Sequence, residues 1–282
     1  NILKEPVGRN TAACVLYAAL AIKKKRGDAV MIILPSDHYF TDVEGFRNIL
    51  ADTCNVADVT GKLVTIGIKP AFPATGYGYI RYNKEHNAVL PDNAYKVMEF
   101  VEKPAFEKAK AYVKSGDYLW NSGMFAWKAS VILENFERYL PRLFNRMMEI
   151  YDYIGTDREE EYISKVYPTL QSISIDYGIL ERSDDVLVVP GDFGWNDVGS
   201  WDALGAIFPP DENGNIIKAR YEGMDTKNSI IYGNDRLIAA IGVNDLIIAD
   251  TEDALLVCPK SRAQDVKDLV EMLKKKGMKD YI

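Results

Sequence analysis

The amino-acid sequence predicts an α/β protein with a small strand-rich domain and a terminal helix at its C-terminal end. In the first part, apolar runs of strand length alternate with segments that have the helical period of about 3.6 residues. From about Gly214, short apolar runs broken by turns recur roughly every eight or nine residues, as in a meander or a few coils of a β-solenoid. We therefore expect one domain over residues 1–212 and a second over residues 213–282.

Composition limits the partners that this chain can have. Of its 282 residues 48% are hydrophobic, which is enough to bury a core, and the net charge of −7 argues against a nucleic-acid surface. No apolar run approaches the ~20 residues of a membrane span, so we expect no membrane partner. Cys14, Cys54 and Cys258 are far apart, and we interpret them as small buried side chains of a cytoplasmic protein.

In the first part of the chain, predicted helices and strands alternate. The expected elements are a helix at 11–25, a strand at 29–34, a helix at 42–58 and a strand at 63–68. Asn10 or Thr11 can cap the first helix, and Gly27 can end it. Continuous apolar runs are typical of strands buried on both faces, so we expect a mixed, mainly parallel sheet.

The rest of the first domain continues in the same way. Strands are expected at 95–101, 119–128 and 186–189, a helix at 105–115, and mainly helical core over 129–182. The final residues predict an amphipathic helix at 266–276.

Polar residues follow the strand that ends near residue 34. Pro35 stops that strand, and Ser36, Asp37 and His38 come directly after it. Ligands of open α/β sheets bind outside the carboxyl ends of strands, so Asp37 lies where a metal or a phosphate would be met. Alone, it is more often a turn or cap residue.

A second carboxylate comes from residues 191–201, which read GDFGWNDVGSW. Polar residues among two tryptophans and three glycines are typical of a ligand pocket. Asn196 and Asp197 are its central polar residues. Two aspartates from separate strand ends, Asp37 and Asp197, can hold one hard cation and leave its other positions to water and phosphate.

Further polar motifs lie at predicted loops. Glycine beside a helix start, in EPVGRNT, exposes N–H groups that suit an anion or a nucleotide. Tyr77 and Gly78, in TGYGY, can form a flat loop for a base or a sugar ring, or a tight turn. Glu102 can accept sugar hydroxyls, Lys103 can pair with a phosphate, and Asn121 can donate or accept.

Together the motifs EPVGRNTA, LPSDH, FVEKP, WNSGMF and GWNDVGSW closely resemble the sugar-nucleotide pyrophosphorylases, and among them the mannose-1-phosphate guanylyltransferases. The resemblance implies a Rossmann-like nucleotidyltransferase domain followed by a short left-handed β-helix. It also implies a reaction in which mannose 1-phosphate and GTP give GDP-mannose and pyrophosphate, with Mg²⁺ as the cofactor.

The resemblance also implies roles for individual residues. Asp37 and Asp197 match the magnesium ligands and, with Lys103, are the expected catalytic residues. The expected nucleotide-binding residues are Glu5, Pro6, Gly8, Arg9, Asn10, Thr11 and Ser36. The expected sugar-phosphate-binding residues are Tyr77, Gly78, Glu102, Lys103, Asn121 and Asn196.

The sequence departs from the family at its beginning. The family opens with a Gly-rich loop that grips the triphosphate, and no such loop occurs in these residues. We therefore expect a truncated form that lacks a central strand, exposes sheet edges and is a poor catalyst alone. A fused isomerase is not expected, since no cupin-like domain follows the terminal helix.

Two alternative functions remain open. The chain could serve another sugar phosphate or nucleoside triphosphate, because guanine and mannose rest on family likeness, or it could bind nucleotide sugars without catalysis. With any of these functions, a homodimer through the C-terminal domain is the expected assembly. A phosphohydrolase is disfavoured, because such enzymes carry a second Asp two residues after the first, whereas Asp37 is followed by His38 and Tyr39.

Overall fold

The computed structural model describes residues 2–85, 88–199 and 201–281, and the chain divides into two compact units. The first comprises Asn1–Ser36 and Phe40–Gly194, and the second comprises Asp37–Tyr39 and Trp195–Ile282. The short segment after the first strand therefore belongs to the second unit. The division of sequence domains at residues 212 and 213 stays a prediction.

Most predicted helices and strands are present, with ends within a few residues of those expected. The helices are α1 (Asn10–Arg26), α2 (Val43–Thr60), α3 (Phe106–Ser115), α4 (Ala129–Tyr139), α5 (Pro141–Met148), α6 (Glu159–Val166), α7 (Leu204–Ile207) and α8 (Val266–Lys275). The strands are β1 (Val30–Ile33), β2 (Tyr39–Phe40), β3 (Leu63–Ile68), β4 (Gly78–Tyr82), β5 (Tyr95–Val101), β6 (Tyr118–Lys128), β7 (Val186–Gly191), β8 (Trp195–Asn196), β9 (Ile216–Lys218), β10 (Tyr221–Met224), β11 (Ile230–Gly233), β12 (Ile238–Ile241), β13 (Leu246–Asp250) and β14 (Leu255–Pro259).

The main sheet of the first unit is mixed, as predicted, but the expectation that it is mainly parallel is wrong. Its strand order is β1-β6-β3-β7-β5-β4, and among the described residues only β3 and β7 pair in parallel. The reason is β6, which lies between β1 and β3 and runs antiparallel to both. Sequence periodicity does not reveal a strand that arrives later in the chain and separates two earlier ones.

Strand β6 also pairs with β4, and this pairing brings residues of the candidate site together. Gly78 lies opposite Asn121 in that antiparallel pair. The pairings from β6 through β3, β7, β5 and β4 therefore return to β6 and form a closed ring. Asn121, near the start of β6, therefore pairs with β3 on one side and with β4 on the other.

Strand β1 is not buried on both faces, which corrects the interpretation of its apolar run. Met31 is 4% exposed, whereas Ile32 is 46% exposed and Leu34 just beyond the strand is 44% exposed. The strand lies at the end of the sheet order and pairs with β6. Alternate side chains therefore face the core and the surface.

Helix α1 packs its alanine-rich face into the core of the first unit together with α4 and α5. Its predicted cap is wrong: the N-cap residue is Arg9, and it makes no side-chain cap hydrogen bond. Gly27 ends the helix at a φ of 74°, as expected. The prediction of buried cysteines is wrong for Cys14, which is exposed on this helix, while Cys54 and Cys258 are half-buried.

The second unit contains the parallel, in-register pairings of a β-helix-like segment. Strands β9, β11 and β13 align Ile216, Ile230 and Ile247 in one row. Strands β10 and β12 form a second parallel pair, and β14 closes the larger sheet antiparallel to β13. The aligned isoleucines are buried, so each strand covers the apolar side chains of the next. The handedness stays a prediction.

The surface of the second unit carries several exposed apolar side chains. They are Met224, Leu237, Ile241, Leu255, Val257, Leu269 and Met272. No helix in the described parts of the chain is both long enough and apolar enough to cross a bilayer.

Candidate functional site

Three of the predicted sugar-phosphate residues meet where β4 pairs with β6. Gly78 lies opposite Asn121, and the carboxylate of Glu102 lies over the same position. A Cβ atom added at Gly78 would lie 2.5 Å from Glu102 Oε2 and 3.2 Å from Asn121 Cβ. Residue 78 is therefore glycine because the Glu102 carboxylate fills the space that a side chain would need.

A left-handed turn brings Lys103 to the same cluster. Its φ is 49°, which is rare for a residue with a side chain. Consecutive strand residues point to opposite faces, but this turn lets Lys103 Nζ reach Glu102 Oε1 at 3.1 Å. The Glu102 side chain is 10% exposed and that of Lys103 is 56% exposed, so the cation lies nearer to solvent.

The side-chain amide of Asn121 has one orientation that satisfies its neighbours. Its Oδ1 accepts hydrogen bonds from Thr65 Oγ1 (3.1 Å) and from the backbone N–H of Gly123 (3.3 Å). Its Nδ2 donates to Asp176 Oδ1 (2.9 Å). A flipped amide would set Nδ2 against the N–H of Gly123. One proton of the amide nitrogen goes to Asp176, which leaves the other for a ligand.

Asp176 and Glu181 belong to this cluster, and the sequence analysis missed both. Asp176 begins a π-helical turn, Asp176–Leu180, and Glu181 follows it. Glu181 Oε1 accepts the backbone N–H of Glu102 at 3.0 Å. The signal available in the sequence was an acidic residue directly after the alternating run SISI, within residues assigned to ordinary helical core.

The cluster sets two carboxyl groups with raised pKa values beside a cation. Burial raises the pKa of Glu102, and the charge of Asp176 raises it further, while Lys103 opposes the shift. Burial also raises the pKa of Asp176. For Lys103, burial acts to lower the pKa, but the hydrogen bond to Glu102 and the nearby carboxylates outweigh it and the pKa is raised. Lys103 is thus charged and available to an anion.

Aromatic side chains lie directly beside this cluster. Tyr77 meets Trp120 edge-on with ring centroids 5.1 Å apart, and Phe72 meets Trp120 at 4.9 Å. The backbone carbonyl of Tyr77 accepts the N–H of Lys103 (3.3 Å). The predicted flat loop is therefore a loop that carries aromatic rings and ends as β4 begins at Gly78.

The predicted nucleotide segment is anchored to residues 167–175 of the first unit. Arg9 Nη2 donates to the carbonyl of Pro168, and Tyr167 donates its hydroxyl to Glu5. Thr11 lies inside α1 rather than at its N-cap, and its Oγ1 accepts the N–H of Ile175 at 2.8 Å. These contacts fix the segment, and its role in nucleotide binding stays a prediction.

Three further residues that were predicted to bind the nucleotide lie at the surface. Pro6, Gly8 and Ser36 are exposed. A Cβ atom added at Gly8 would meet nothing within 4 Å, so its backbone is open to approach.

In the second unit, His38 lies within electrostatic range of both predicted metal ligands. Its Nδ1 accepts a hydrogen bond from Trp195 Nε1 at 3.0 Å. Burial lowers the pKa of His38, and the charges of Asp37 and Asp197 both act to raise it. Both carboxylates therefore lie close enough to act on one imidazole. Asp37 is exposed and Asp197 half-buried, so neither is sealed in apolar packing.

The loop that carries Asp197 is held by its own side chains. Asn196 Oδ1 accepts the N–H of Val198 at 2.8 Å, and Asp197 Oδ1 accepts the N–H of Gly199 at 3.1 Å. Asn196 is thus used within the loop, and its assignment to the sugar phosphate stays a prediction. Val198 has a φ of 50°, an outlier for a β-branched residue.

Asp37 and Asp197 carry the type of oxygen donor that a hard divalent cation takes, and a metal site at this pair stays a prediction. Carboxylate oxygens are the ligands that Mg²⁺ prefers, and Mg²⁺ is commonly held by one or two carboxylates together with water and phosphate. Within residues 2–85, 88–199 and 201–281 there is no group of three or more His, Cys, Asp or Glu side chains suited to a metal ion. The pair Asp37 and Asp197 is a smaller set, of the size that a phosphate-assisted Mg²⁺ site uses.

Backbone strain also falls in the motifs that the sequence singled out. Asn10, Lys103 and Val198 each have positive φ, and each belongs to a different predicted motif. The other described non-glycine residues with positive φ are Asp225, Asn228 and Asp245, types that tolerate this conformation in turns. Strain at a lysine and a valine is typical of functional sites.

Comparison with known proteins identifies the family of this chain. Residues 1–214 match the family model of nucleotidyl transferases, and residues 220–273 match the mannose phosphate isomerase/GMP-like β-helix domain. The chain belongs to the nucleotidyl transferase family, with a C-terminal β-helix-like domain.

Individual relatives show which members of the family this chain is similar to. A mannose-1-phosphate guanylyltransferase of Escherichia coli is 38% identical over 284 residues, which cover 100% of this chain and 59% of the relative. An alginate biosynthesis protein of Pseudomonas aeruginosa is 37% identical, with 98% and 57% covered. This chain thus spans less than two thirds of the length of these relatives.

A solved structure is similar over most of its length. The crystal structure described as mannose-1-phosphate geranyltransferase from Thermus thermophilus has a TM-score of 0.81 and 36% identity to this chain. The match covers 96% of this chain and 77% of that one.

Proposed function

We propose that this chain is the nucleotidyl-transfer part of an enzyme that makes GDP-mannose and pyrophosphate from mannose 1-phosphate and GTP. Family membership supports nucleotidyl transfer as the reaction class. The names of the Escherichia coli and Salmonella typhimurium relatives support mannose 1-phosphate as the acceptor and a guanylyl group as the group transferred.

The observation that carries the proposal is the cluster of Gly78, Glu102, Lys103 and Asn121. It offers a buried carboxylate for sugar hydroxyls, an exposed ammonium for the phosphate, and an amide proton for either. Gly78 has no side chain, and the Glu102 carboxylate occupies the space that a side chain would fill. Such a mixture suits a sugar phosphate better than a purely anionic or a purely neutral ligand.

Tyr77 and its neighbours add an apolar wall to that cluster. Pyranose rings present an apolar face of C–H groups, and aromatic side chains offer a matching surface. We assign Tyr77 to the sugar side of the site, where its carbonyl already fixes the position of Lys103.

Asp37 and Asp197 would hold Mg²⁺ through their carboxylate oxygens. A bound Mg²⁺ supplies charge neutralisation for phosphate oxygens and orients them for displacement. His38 accepts a hydrogen bond from Trp195, and the charges of Asp37 and Asp197 both act to raise its pKa.

The reaction needs no general base from the protein. The phosphate of mannose 1-phosphate is ionised at neutral pH, so its oxygen can attack the α-phosphorus of GTP in line while pyrophosphate leaves. The residues of this chain then contribute by holding the reactants and offsetting their charge. Lys103 does this for the sugar phosphate, and Arg9 with the backbone of Gly8, Asn10 and Thr11 does it for the nucleotide.

Assembly and location form a separate part of the proposal. The exposed apolar side chains of the second unit, such as Met224 and Ile241, support a homodimer through the C-terminal domain. We place the enzyme in the cytoplasm, with free cysteines and a net charge of −7, and expect no nucleic-acid or membrane partner.

Binding of GDP-mannose to the purified chain is the test of this proposal. Titration calorimetry in Mg²⁺ should give saturable binding that is tighter than binding of UDP-glucose, ADP-glucose or dTDP-glucose. Any turnover should require GTP rather than ATP, UTP or dTTP. Asp197→Asn should reduce that turnover by orders of magnitude, and Asp192→Asn, an exposed carboxylate in the same loop, serves as the matched control.

The alternatives predict other outcomes. Preference for another nucleotide sugar would identify a different pyrophosphorylase, and binding of GDP-mannose without any pyrophosphate release would favour a binding function. Unchanged turnover in Asp197→Asn at saturating Mg²⁺ would contradict the metal assignment.

A further inference from the structure

One π-helical turn contacts two of the residues that the proposed sugar-phosphate site needs. The turn Asp176–Leu180 begins with Asp176, and Glu181 follows its last residue. Asp176 holds the side chain of Asn121, and Glu181 holds the backbone N–H of Glu102. Both contacts leave from the same short segment. One ends on β6 and the other just beyond β5, the two strands that each pair with β4.

The π-helical geometry explains how one turn reaches both partners. In an α-helix of 3.6 residues per turn, residues five apart lie about 140° from each other around the axis. In a π-helical turn the bond from i to i+5 stacks such residues. Here the N–H of Glu181 donates to the carbonyl of Asp176 at 2.9 Å. An α-helical turn would direct only one of the two carboxylates toward the cluster.

Tight packing holds the turn in place. Ile179 and Leu180 are buried, and a Cβ atom added at Gly178 would lie 2.8 Å from Leu140 Cδ1. The turn therefore has little freedom to shift along its axis. A rare backbone form that is packed this closely is a feature found frequently at functional sites.

We infer that this π-helical turn positions the sugar-phosphate site, with Asp176 setting the orientation of the Asn121 amide and Glu181 fixing the backbone at Glu102. The identity of the ligand rests on the proposed function, whereas the positioning does not. Asp176 and Glu181 are positioning residues: they act through Asn121 and Glu102.

The surroundings of the Asp176 carboxyl also support a role in the site. The charges of Glu102 and Glu181 act on it, and burial raises its pKa. A carboxyl whose pKa is shifted by burial and by specific charged neighbours is a candidate for a functional site.

A double-mutant cycle tests the link between Asp176 and Asn121. Asp176→Ala and Asn121→Ala should each weaken GDP-mannose binding about tenfold, the effect of one lost hydrogen bond to a charged group. The double variant should bind about as well as either single variant, because the two changes remove one function. Asp176→Asn keeps an acceptor oxygen and should recover most of the affinity.

Asp185→Ala is the matched control for this cycle. Asp185 is an exposed carboxylate that pairs with Lys62 and lies outside the cluster, so binding should be unchanged. Losses that multiply in the double variant would show that Asp176 acts independently of Asn121 and would overturn the inference.

A measurement without ligand separates this inference from the proposed function. In uniformly ¹⁵N-labelled protein, the side-chain amide signals of Asn121 should move and broaden in Asp176→Ala and stay sharp in Asp185→Ala. Glu181→Ala should shift the backbone amide signal of Glu102, and Glu181→Gln should restore it. Unchanged signals would overturn the positioning role, even if GDP-mannose binds. Failure of the wild-type chain to bind GDP-mannose, with these shifts present, would count against the proposed function alone.

Discussion

Gly78 shows how a single residue type can be required by its neighbours. The Glu102 carboxylate lies 2.5 Å from the place of a Cβ atom at Gly78, so Gly78→Ala must displace that carboxylate. We expect binding of mannose 1-phosphate to weaken at least about tenfold, since the site loses an aligned charged acceptor. Titration calorimetry measures the effect.

Gly76→Ala is the matched control for that change. A Cβ atom at Gly76 would meet nothing within 4 Å, so affinity should stay within about twofold of wild type. Equal losses in both variants would show that the loop, rather than the position of Glu102, controls binding.

The carboxyl of Asp176 should make stability depend on pH. Burial raises its pKa and Glu181 adds to the shift, while Asn121 and Lys103 oppose it. Glu102 is a further like charge beside it. A carboxyl with a raised folded pKa contributes its full stability below the unfolded pKa of about 4 and loses it as pH rises through the folded pKa.

Asp176→Asn should therefore raise the melting temperature more at pH 8 than at pH 4.5. Scanning calorimetry at both pH values gives the comparison. Asp185→Asn is the opposite case, because the hydrogen bond from Lys62 lowers the pKa of Asp185. It should lower the melting temperature slightly and by a similar amount at both values. A gain for Asp176→Asn that is larger at pH 4.5 would contradict this sign.

At the residue scale, sequence reasoning located groups whose chemistry is local. Glu102, Lys103 and Asn121 were identified from short motifs, and the fold brings them together at Gly78. Asp176 was missed because its role depends on a π-helical turn, and the periodicity of the side chains does not predict such a turn.

Strand β1 illustrates the same limit at the scale of an element. Its apolar run was interpreted as a strand covered on both faces, yet Ile32 is 46% exposed and Met31 is 4% exposed. An edge strand at the end of a sheet can carry apolar residues on its open face, so an unbroken run does not prove double burial.

Two lysine substitutions test the edge position of β1. Ile32→Lys places a charge at the surface and should change the unfolding free energy by less than about 1 kcal/mol. Met31→Lys buries an unpaired charge and should prevent folding or lower stability by several kcal/mol. Urea unfolding followed by circular dichroism compares the two. Equal loss of stability in both variants would mean that both faces of β1 are covered.

Helix and strand positions were predictable because their signals are local, whereas strand order was not. Helix α2 begins after Asp42, which accepts the N–H of Gly45, and ends at Gly61 with a φ of 62°, so both ends follow from residue type. The place of β6 between β1 and β3 depends on contacts between residues from 52 (Ile68 and Trp120) to 98 (Val30 and Lys128) positions apart. No pattern within one segment encodes such a contact.

At the scale of the whole molecule, the two units use different kinds of core. The first unit packs helices against a mixed sheet, and the second stacks strands so that Ile216, Ile230 and Ile247 form one row. The recurrence of short apolar runs predicted either a meander or stacked coils of strands, and the family resemblance favoured the stacked coils. The register between strands was not predictable, because neighbouring isoleucines offer several similar alignments.

Ile230→Ala tests that row of side chains. Ile230 is 1% exposed between its two neighbours, so the cavity should lower the unfolding free energy by about 2–5 kcal/mol. Ile241→Ala removes the same atoms from an exposed position in the same unit and should cost less than about 0.5 kcal/mol. Denaturant unfolding gives both values, and similar losses would contradict the assigned register.

The central claim is that Glu102, Lys103 and Asn121 form the sugar-phosphate site around Gly78. A crystal structure of the chain with mannose 1-phosphate tests it most directly. We expect sugar hydroxyls within hydrogen-bond distance of Glu102 and Asn121, and the phosphate beside Lys103, with Asp176 still holding the Asn121 amide. A sugar phosphate bound elsewhere, with the Glu102–Lys103 ion pair and its surroundings free of ligand, would contradict the claim.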